Sequence, residues 1–351
     1  MISKLSGVNI KAICCTVPRN VLRVASLGSI WSENEIRRVI KASGIEEIRI
    51  ADEKTTAADL CVKAAENIFK ELHLSKDSVD GIVFVTQTPD YIAPATSCIL
   101  QSRLSVPNEV VAIDINHGCN GYIYGVFLSS MLVTSGSCKR VLLMAGDTIS
   151  KLLSPYDRSL RTVLGDGGSA TIVEKGEGDL SFRIRTDGKR YDSLIVPAGG
   201  MRVPHSEETC MSREMENGNY RSKEHLFMDG IEVMKFALSD VPILVEQLLS
   251  DVGWAKTDVG CYIFHQANKF IIDYVARKMK LNAMTVPVAV QKYGNTGPAS
   301  IPLTLVQKFA ENSSDHNALK KMVAVGFGVG FSWGAFTGDL SETQFLRVQE
   351  L

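Results

Sequence analysis

The amino-acid sequence predicts an α/β fold built from two related halves. At 351 residues the chain is longer than one ordinary domain. Short apolar runs, typical of buried parallel strands, alternate with segments whose apolar residues recur at the three- and four-residue spacing of helices. From Met228 onward the order of these elements repeats that of the first half. We therefore predict two copies of one strand and helix unit, residues 1–175 and 176–351, in a doubly wound arrangement.

The first half is predicted to alternate strands with helices. Ser32 followed by Glu35 forms a capping box at the start of one helix. Residues 110–113 are all apolar, so we expect a fully buried parallel strand there. Residues 165–170 are rich in glycine but lack the lysine of a phosphate-binding loop, and we predict a tight turn that leads into a strand. The predicted strands are 8–17, 79–89, 110–113, 141–146 and 170–174, and the predicted helices are 32–41, 56–72, 95–104 and 122–132.

The second half begins with a polar stretch, residues 197–226, that has no sustained periodicity. We predict an insertion loop there, because a long segment without regular structure in a compact domain is usually a lid or a binding loop. The elements that follow match the first half in their order. The predicted helices are 231–249 and 270–279, and the predicted strands are 259–264, 285–290, 322–327 and 331–336.

The composition argues against several kinds of partner and site. The chain has 38 basic and 39 acidic residues, a balance that does not favour nucleic acid as a principal partner. No run of about 18 apolar residues predicts a membrane span, and the N-terminus lacks the apolar core of a secretory signal, so we expect a cytoplasmic protein. The eight cysteines have neither CxxC pairs nor histidines at metal-ligand spacing, so we expect no disulfide framework and no metal site.

One cysteine lies at a strand-to-helix turn. Cys119 follows the strand at 110–113 and precedes the helix at 122–132. The free N–H groups and the dipole of a helix start favour a thiolate, which is the nucleophilic form of cysteine. Gly118 and Gly121 permit a sharp turn and leave room for a substrate to approach the sulfur. The alternative is a buried structural cysteine, which is the more common role of a free cysteine.

A histidine and an asparagine occupy the corresponding places in the second half. His265 directly follows the strand at 259–264, and Asn295 lies in the glycine-rich turn after the strand at 285–290. Each alone is more often structural, as a satisfied histidine or as a turn-forming asparagine. Active groups gather at the carboxyl ends of strands in doubly wound sheets. A thiol with two neutral hydrogen-bond donors suits acyl-thioester chemistry, because the donors stabilise the charge that develops on the thioester oxygen.

Four motifs, in the same order, resemble the β-ketoacyl-acyl carrier protein synthase III family of condensing enzymes. They are the run Asp114-Ile-Asn-His-Gly-Cys119-Asn-Gly-Tyr-Ile-Tyr-Gly125, the tetrad His265-Gln-Ala-Asn268, the segment Tyr293-Gly-Asn-Thr-Gly-Pro-Ala-Ser-Ile-Pro302 and the closing Gly326-Phe-Gly-Val-Gly-Phe-Ser-Trp-Gly334. The resemblance covers nearly the whole chain. It implies a thiolase-like fold, in which two pseudo-repeated halves form a five-layered αβαβα sandwich.

The resemblance also implies a reaction. In this family the cysteine takes an acyl group from acyl-CoA or a similar donor, malonyl-acyl carrier protein loses carbon dioxide, and the resulting carbanion attacks the acyl-enzyme. A homodimer, a Cys-His-Asn triad and pantetheine-linked substrates are implied, with no further cofactor. By position, Cys119 would be the nucleophile, and His265 with Asn295 would bind the malonyl thioester oxygen. The backbone N–H groups of Cys119 and Val329 would form a second oxyanion hole, and Phe327 would pack near the thiol.

Contacts with substrates and partners follow from the same resemblance. Arg158 matches an arginine at the entrance for the CoA or pantetheine arm, and Asn268 matches an asparagine on the pantetheine side. Tyr91 lies where the family sends an aromatic residue across the dimer interface into the partner's acyl pocket. The helix after His265 carries a basic face that would dock the acidic carrier protein, and a solvated helix face is the alternative. The basic residues of this helix are Lys269, Arg277, Lys278 and Lys280.

The chain departs from the family pattern at three places. Val329 stands where the family has glycine, Ala42 stands where it has an arginine, and its adenine-binding tryptophan has no clear counterpart. A carrier-bound acyl donor is therefore more plausible than CoA. The long loop at 197–226 suggests a specialised pathway, such as polysaccharide, polyketide or signal-molecule synthesis.

Two alternatives to condensation remain at this point. The same triad could transfer an acyl group to an amine or hydroxyl without decarboxylation. The chain could also be a non-catalytic partner of a true synthase, although such proteins usually lose the cysteine that this chain keeps.

Overall fold

The strands form two connected sheets. A computed structural model of the protein describes residues 1–28, 31–215, 218–311 and 315–351. Its main strands are β1 Ile2–Val17, β2 Gly81–Val85, β3 Val111–Ile115, β4 Arg140–Asp147, β5 Gly167–Thr186, β6 Cys261–Phe264, β7 Met322–Gly328 and β8 Ser332–Gly338. The first sheet has the order β3-β2-β4-β5-β1, and the second has the order β6-β7-β8-β5-β1. The long strands β1 and β5 pair antiparallel and belong to both sheets.

Seven helices of the described chain have nine or more residues, and all but the first of them pack on these sheets in three layers. They are α1 Glu33–Ser43, α2 Ala57–Glu71, α3 Thr96–Leu104, α4 Gly121–Thr134, α5 Gly230–Val252, α6 Lys269–Lys278 and α7 Ser300–Phe309. Helices α4 and α7 lie between the sheets, and their apolar side chains join strands of both halves in one core cluster. Helices α2 and α3 cover the outer face of the first sheet, and α5 and α6 cover that of the second. This is the αβαβα order of layers that the sequence predicted.

The two sheets share one pairing pattern. In the first, β2 is parallel to β4, β4 is antiparallel to β5, and β5 is antiparallel to β1. In the second, β6, β7, β8 and the last part of β5 repeat these relations. The predicted boundary between residues 175 and 176 lies inside β5, which both sheets use, so the division into two units stays a prediction.

Helix boundaries that rest on local signals agree with the sequence. Ser32 caps α1 and Thr56 caps α2, each in a capping box with the acidic residue three positions later. The side chain accepts a hydrogen bond from a backbone N–H that has no partner within the helix. These boundaries depend on adjacent residues alone, which is why the sequence places them correctly.

The predicted strand at 285–290 is wrong. Ala283–Thr285 is a single 3-10 turn and Val290–Tyr293 is a short helix, with irregular chain between them. Pro287 lies in the apolar run and has no N–H to give to a neighbouring strand. Within the described ranges of the chain, the second sheet therefore has no counterpart of β3.

The predicted burial of β3 is also wrong. Its first residue, Val111, is 37% exposed, and the other four residues are only partly buried. The strand lies at the edge of the first sheet and pairs with β2 on one side only. An apolar run therefore marks an uncovered edge in the single chain, not the middle of the sheet.

The insertion loop, residues 197–226, is largely irregular, as predicted. It holds one helical turn, Glu207–Cys210, and the two-residue strands Arg213–Glu214 and Tyr220–Arg221, which pair with each other. Residues 216 and 217 lie outside the described residues. In the described part of the chain, no helix is long and apolar enough to span a membrane.

The glycines at 165–170 do not form the predicted turn before a strand, because β5 already begins at Gly167. A Cβ on Gly168 would lie 2.7 Å from the Cβ of Leu60 and 2.8 Å from the backbone nitrogen of Cys61. The missing side chain therefore allows helix α2 to pack directly on the strand.

This close packing predicts the effect of a small substitution. Gly168→Ala should lower the free energy of unfolding by about 1–3 kcal/mol, because the added methyl group overlaps the α2 backbone. Equilibrium unfolding in urea measures the change. Gly188→Ala is the matched control, since no atom lies within 4 Å of its added methyl group, and it should stay within about 0.5 kcal/mol. Equal stability of the two variants would contradict the packing role.

Candidate active site

A cavity of about 430 Å³ brings the three predicted catalytic residues together. Cys119, His265 and Asn295 all line it, and so do Phe327 and Val329. Strands from both sheets end at its wall, as expected for groups at the carboxyl ends of strands. The remaining wall is mostly apolar. Within the described residues, no group of three His, Cys, Asp or Glu side chains is placed to hold a metal ion.

Cys119 lies in the turn between β3 and α4, which begins at Gly121. The turn fits closely against β7, because a Cβ on Gly328 would lie 2.7 Å from the Cβ of Cys119 and 3.1 Å from its Sγ. Gly121 serves in the same way, since a Cβ there would lie 2.5 Å from the side chain of Val85 on β2. The glycines around Cys119 thus allow strands and loops of both halves to meet at the sulfur.

The expected thiolate is a wrong prediction for Cys119. Burial raises the pKa of this thiol to about 12, and the carboxylate of Asp147 acts in the same direction. The dipole of a helix start stabilises an anion only modestly, whereas removal from water disfavours the charged form strongly. Cys119 is therefore a neutral thiol at neutral pH.

His265 directly follows β6 and is 1% exposed. Its Nδ1 lies 2.7 Å from Oγ of Ser300, the first residue of α7. Ser300 Oγ also accepts the backbone N–H of Gln266 at 3.4 Å, so its own proton is available to Nδ1. When Oγ donates to Nδ1, Nε2 carries the ring proton and acts as a donor. Burial lowers the pKa of His265 to about 3, so the ring is neutral at neutral pH.

Asn295 does not lie at the end of a strand, in contrast to the prediction. It follows Gly294, which has a φ of 68°, and a backbone bridge holds it beside Leu164. The Asn295 N–H donates to the carbonyl of Val163 at 2.8 Å. Its Oδ1 accepts the N–H of Gly297 at 3.0 Å, which leaves the Nδ2 group as a donor. Pairing with the loop at 163–165 therefore places this carboxamide.

The two backbone N–H groups of the predicted second oxyanion hole, from Cys119 and Val329, form no hydrogen bond to another residue of the described chain. The side chain of Val329 fits because residue 118 is glycine, where a Cβ would lie 3.0 Å from Val329 Cγ1. The Phe327 ring lies 5.3 Å from the His265 ring, edge to face. The β-branched residue thus packs against the glycine that precedes Cys119.

Sequence reasoning missed two polar residues of the cavity wall. Asp147 ends β4, and its Oδ1 accepts hydrogen bonds from the hydroxyls of Thr86 and Thr88 and from the N–H of Gln87. Burial raises the pKa of this carboxyl to about 7. The Gln87 side chain lies against the backbone of Gly118, next to the thiol. A titratable residue directly after a run of apolar residues, as at His265, is the signal that could have identified Asp147.

Arg158 and Asn268 lie near the cavity but do not line it. The Arg158 guanidinium is 6.0 Å from the ring of Trp31 and 3.3 Å from the carboxylate of Glu35. The sequence analysis found no clear counterpart of the family's adenine-binding tryptophan. In the structure, the tryptophan beside Arg158 is Trp31. Asn268 caps α6, where its Oδ1 accepts the N–H of Ile271 at 2.9 Å. Whether either residue contacts substrate stays a prediction.

The residues predicted to meet other chains lie at the surface. Tyr91 is 62% exposed and does not line the cavity of its own chain. On α6, Arg277 and Lys278 are exposed, and Lys278 Nζ donates to the carbonyl of Leu238 at 2.7 Å. Lys269 forms an ion pair with Asp273 at 2.5 Å, so part of its charge is neutralised.

Comparison with known proteins decides the family. Residues 113–188 match the family described as 3-oxoacyl-[acyl-carrier-protein (ACP)] synthase III, and residues 249–338 match its C-terminal part. A putative 3-oxoacyl-[acyl-carrier-protein] synthase 3 of Campylobacter jejuni is 33% identical over 95% of this chain and 94% of its own length. The chain belongs to the 3-oxoacyl-[acyl-carrier-protein] synthase III family. A β-ketoacyl-[acyl-carrier-protein] synthase III of Chlamydia caviae is also 33% identical, over 95% of this chain and 97% of its own.

Solved structures of synthase III enzymes have the same fold. A 3-oxoacyl-(acyl-carrier protein) synthase of Burkholderia xenovorans LB400 superposes with a TM-score of 0.92 at 37% identity, over 100% of this chain and 99% of that one. The synthase III of Aquifex aeolicus superposes with a TM-score of 0.81 at 29% identity, over 95% and 100%. The predicted thiolase-like fold is therefore confirmed, and the chain is an acyltransferase of the condensing type.

The raised pKa of Cys119 predicts how its reactivity depends on pH. A thiol with a pKa of about 12 gains thiolate as pH rises, so alkylation by iodoacetamide should accelerate on the order of tenfold per unit between pH 7 and 10. Mass spectrometry of the peptide that carries Cys119 measures the rate, and Cys119→Ser identifies its adduct. A rate that is already constant above pH 7 would instead show a lowered pKa.

Proposed function

We propose that the chain catalyses decarboxylative condensation of malonyl-acyl carrier protein with an acyl thioester, through an acyl group carried on Cys119. The proposal rests on the presence of the required chemical groups in one cavity. One cavity holds a thiol, two neutral side-chain donors and two backbone N–H groups without partners in the described chain. These are the parts that acyl transfer through a thioester requires.

In the first step, Cys119 Sγ attacks the carbonyl carbon of the acyl donor. The bond to the donor's pantetheine sulfur breaks, and the thiol proton passes to the departing thiolate. The backbone N–H groups of Cys119 and Val329 stabilise the oxyanion of the tetrahedral intermediate. A neutral resting thiol is compatible with this step, because the leaving group accepts the proton that the nucleophile loses.

In the second step, His265 Nε2–H and Asn295 Nδ2–H donate to the malonyl thioester oxygen. The bond between the malonyl carboxylate and the α-carbon breaks, carbon dioxide leaves, and the electron pair forms an enolate. The enolate carbon attacks the acyl carbonyl on Cys119, whose thiolate departs and takes a proton from solvent. A neutral His265 suits this role, since it donates a hydrogen bond without giving up its proton.

Several finer properties are part of the proposal. The donor carries a pantetheine arm, and the pathway is fatty-acid synthesis or a specialised acyl pathway. The reaction needs no further cofactor and takes place in the cytoplasm, because all eight cysteines are free and Cys119 must remain reduced.

The active form is a homodimer. The exposed Tyr91 and Ile92 and the partly exposed edge strand β3 support this, since another chain can cover them.

Two variants separate the steps. Cys119→Ala should abolish the mass shift on acylation and should abolish condensation, while decarboxylation of malonyl thioester continues. His265→Ala should leave acylation largely intact and slow decarboxylation by on the order of a hundredfold, because one oxyanion donor is lost. Intact-protein mass spectrometry and release of labelled carbon dioxide measure the two steps.

The outcomes of this experiment also separate the alternatives. Acylation of Cys119 without release of carbon dioxide from any malonyl donor would favour acyl transfer to an amine or hydroxyl. A chain that neither acylates nor decarboxylates would be a non-catalytic partner. Failure of His265→Ala at acylation, with normal decarboxylation, would reverse the assigned roles.

Carrier docking gives a further prediction. Arg277→Glu with Lys278→Glu should raise the apparent KM for malonyl-acyl carrier protein, and the increase should shrink as salt is added, because added salt shortens the screening length from its value of about 8 Å at physiological ionic strength. Turnover of a short malonyl-pantetheine substrate should not change. Lys139→Glu with Lys175→Glu is the matched control, since both lysines are exposed at the end of β4 away from the cavity. Equal loss with both substrates would contradict docking at α6.

A further inference from the structure

The end of the insertion loop forms part of the cavity wall. We name residues 218–228 the roof segment. Its last two residues, Phe227–Met228, pair with Leu194–Ile195, which also line the cavity. Leu226 and Met228 line the cavity, and the Leu226 N–H donates to the carbonyl of Leu152 at 2.8 Å. The insertion is therefore connected to the site through this segment.

The side chains around the roof segment form a small apolar cluster of their own. Leu226 packs with residues that come from loops and short turns rather than from the sheets. The buried members of this cluster are Ile149, Leu153, Leu160, Leu164 and Leu226. The hydrogen bonds of the sheets do not hold a wall that is made of loops, so the position of this wall depends on the contacts that anchor the loops.

A buried ion pair provides one anchor. Arg221 Nη1 lies 3.7 Å from Asp157 Oδ2, and the two side chains are 9% and 1% exposed. Asp157 Oδ1 accepts hydrogen bonds from the N–H groups of Ser159 and Leu160, whereas Oδ2 has no hydrogen-bond partner in the described chain. The Arg221 guanidinium also lies 4.6 Å from the ring of Phe227. Removal of Arg221 would leave a buried carboxylate without a counter-charge.

Asn219 provides the second anchor. Its Oδ1 accepts the backbone N–H of Arg158 at 2.7 Å, and its Nδ2 donates to Oγ of Ser159 at 3.2 Å. The Ser154 hydroxyl donates to the carbonyl of Tyr220. The roof segment and residues 154–161 are thus held together at several points, and together they fix the loop wall.

We propose that the roof segment selects the acyl chain, and that Arg221 is a positioning residue that sets this selectivity by holding Leu226 in place. The inference rests on the proposed function. The wall at Leu226 is apolar, so it suits a straight hydrocarbon chain, whereas the amides of a pantetheine arm would lose hydrogen bonds there. A wall held in place excludes chains longer than the space it leaves.

The test compares acylation rates of Cys119 for straight-chain donors from acetyl to dodecanoyl, by intact-protein mass spectrometry. Arg221→Met keeps an unbranched side chain but removes the charge. It should raise the ratio of long-chain to short-chain rates by about tenfold, the discrimination that one methylene provides in an apolar pocket. Asp157→Asn should shift the profile in the same direction, and the double variant should add little, because both changes break one interaction.

Lys223→Met is the matched control. Lys223 belongs to the same segment and pairs with Glu208 at 3.0 Å, but the two side chains are 56% and 66% exposed. Loss of an exposed pair has little effect on structure, so this variant should keep the wild-type profile. An equal shift of the chain-length profile in Lys223→Met and Arg221→Met would overturn the role of Arg221. An unchanged profile in folded Arg221→Met would overturn it as well.

A further variant tests the proposal if Arg221→Met does not fold. Leu226→Ala keeps both anchors and enlarges the space at the wall, so it should favour longer donors. An unchanged profile in this variant would overturn the proposal that the roof segment selects the chain. Absence of acylation of the wild-type chain by every donor would overturn the proposed function itself, which is a different result from acylation with an unaltered profile.

Discussion

The antiparallel pairing of β1 with β5 is the constraint on which the site depends. These two strands run through both sheets and fix the position of one sheet relative to the other. Because β2 is parallel to β4, and β6 to β7, the carboxyl ends of these strands face one cavity. Asp147 ends β4, His265 follows β6, and Gly328 ends β7 against Cys119. His265 is therefore placed by a strand end and Cys119 by a turn that packs on β7, whereas Asn295 is placed by the loop at 163–165.

Exclusion of water from this cavity decides the protonation state of each group. Burial raises the pKa of the Cys119 thiol and lowers that of the His265 ring, so both are neutral at neutral pH. The same burial makes each hydrogen bond to a developing oxyanion stronger than it would be in water. The burial that strengthens the hydrogen bonds to the oxyanion therefore also makes the resting Cys119 thiol less reactive. Ser300 contributes a hydroxyl 2.7 Å from Nδ1 of His265, which orients the imidazole ring.

The walls of the cavity divide into two kinds. Near the sulfur the wall consists of strand ends and glycines that fit closely, where a change of one methyl group causes overlap. Farther away, the wall consists of loops that are held by side-chain anchors such as Asn219. Loops tolerate changes in length and sequence better than strands do. In such an arrangement, the chemistry can stay constant while the shape of the space for the substrate changes.

The sequence by itself determined the features that depend on neighbouring residues. The capping box at Ser32, the helix after Cys119 and most of the order of strands and helices follow from local spacing. The four motifs were also sufficient to name the family. Residues that are close in the chain carry these signals, so no knowledge of distant partners was needed.

Only the tertiary structure decided what depends on residues far apart in the chain. The apolar run at 285–290 has the pattern of a strand but forms none, and β3 has the pattern of a buried strand but lies at an edge. Gly168 allows the close approach of α2, which no local pattern reveals. Asn295 reaches the cavity through a bridge to Leu164 and not as the end of a strand. Burial, charge state and strand pairing all arise from contacts between distant segments, and a linear sequence does not record which segments meet.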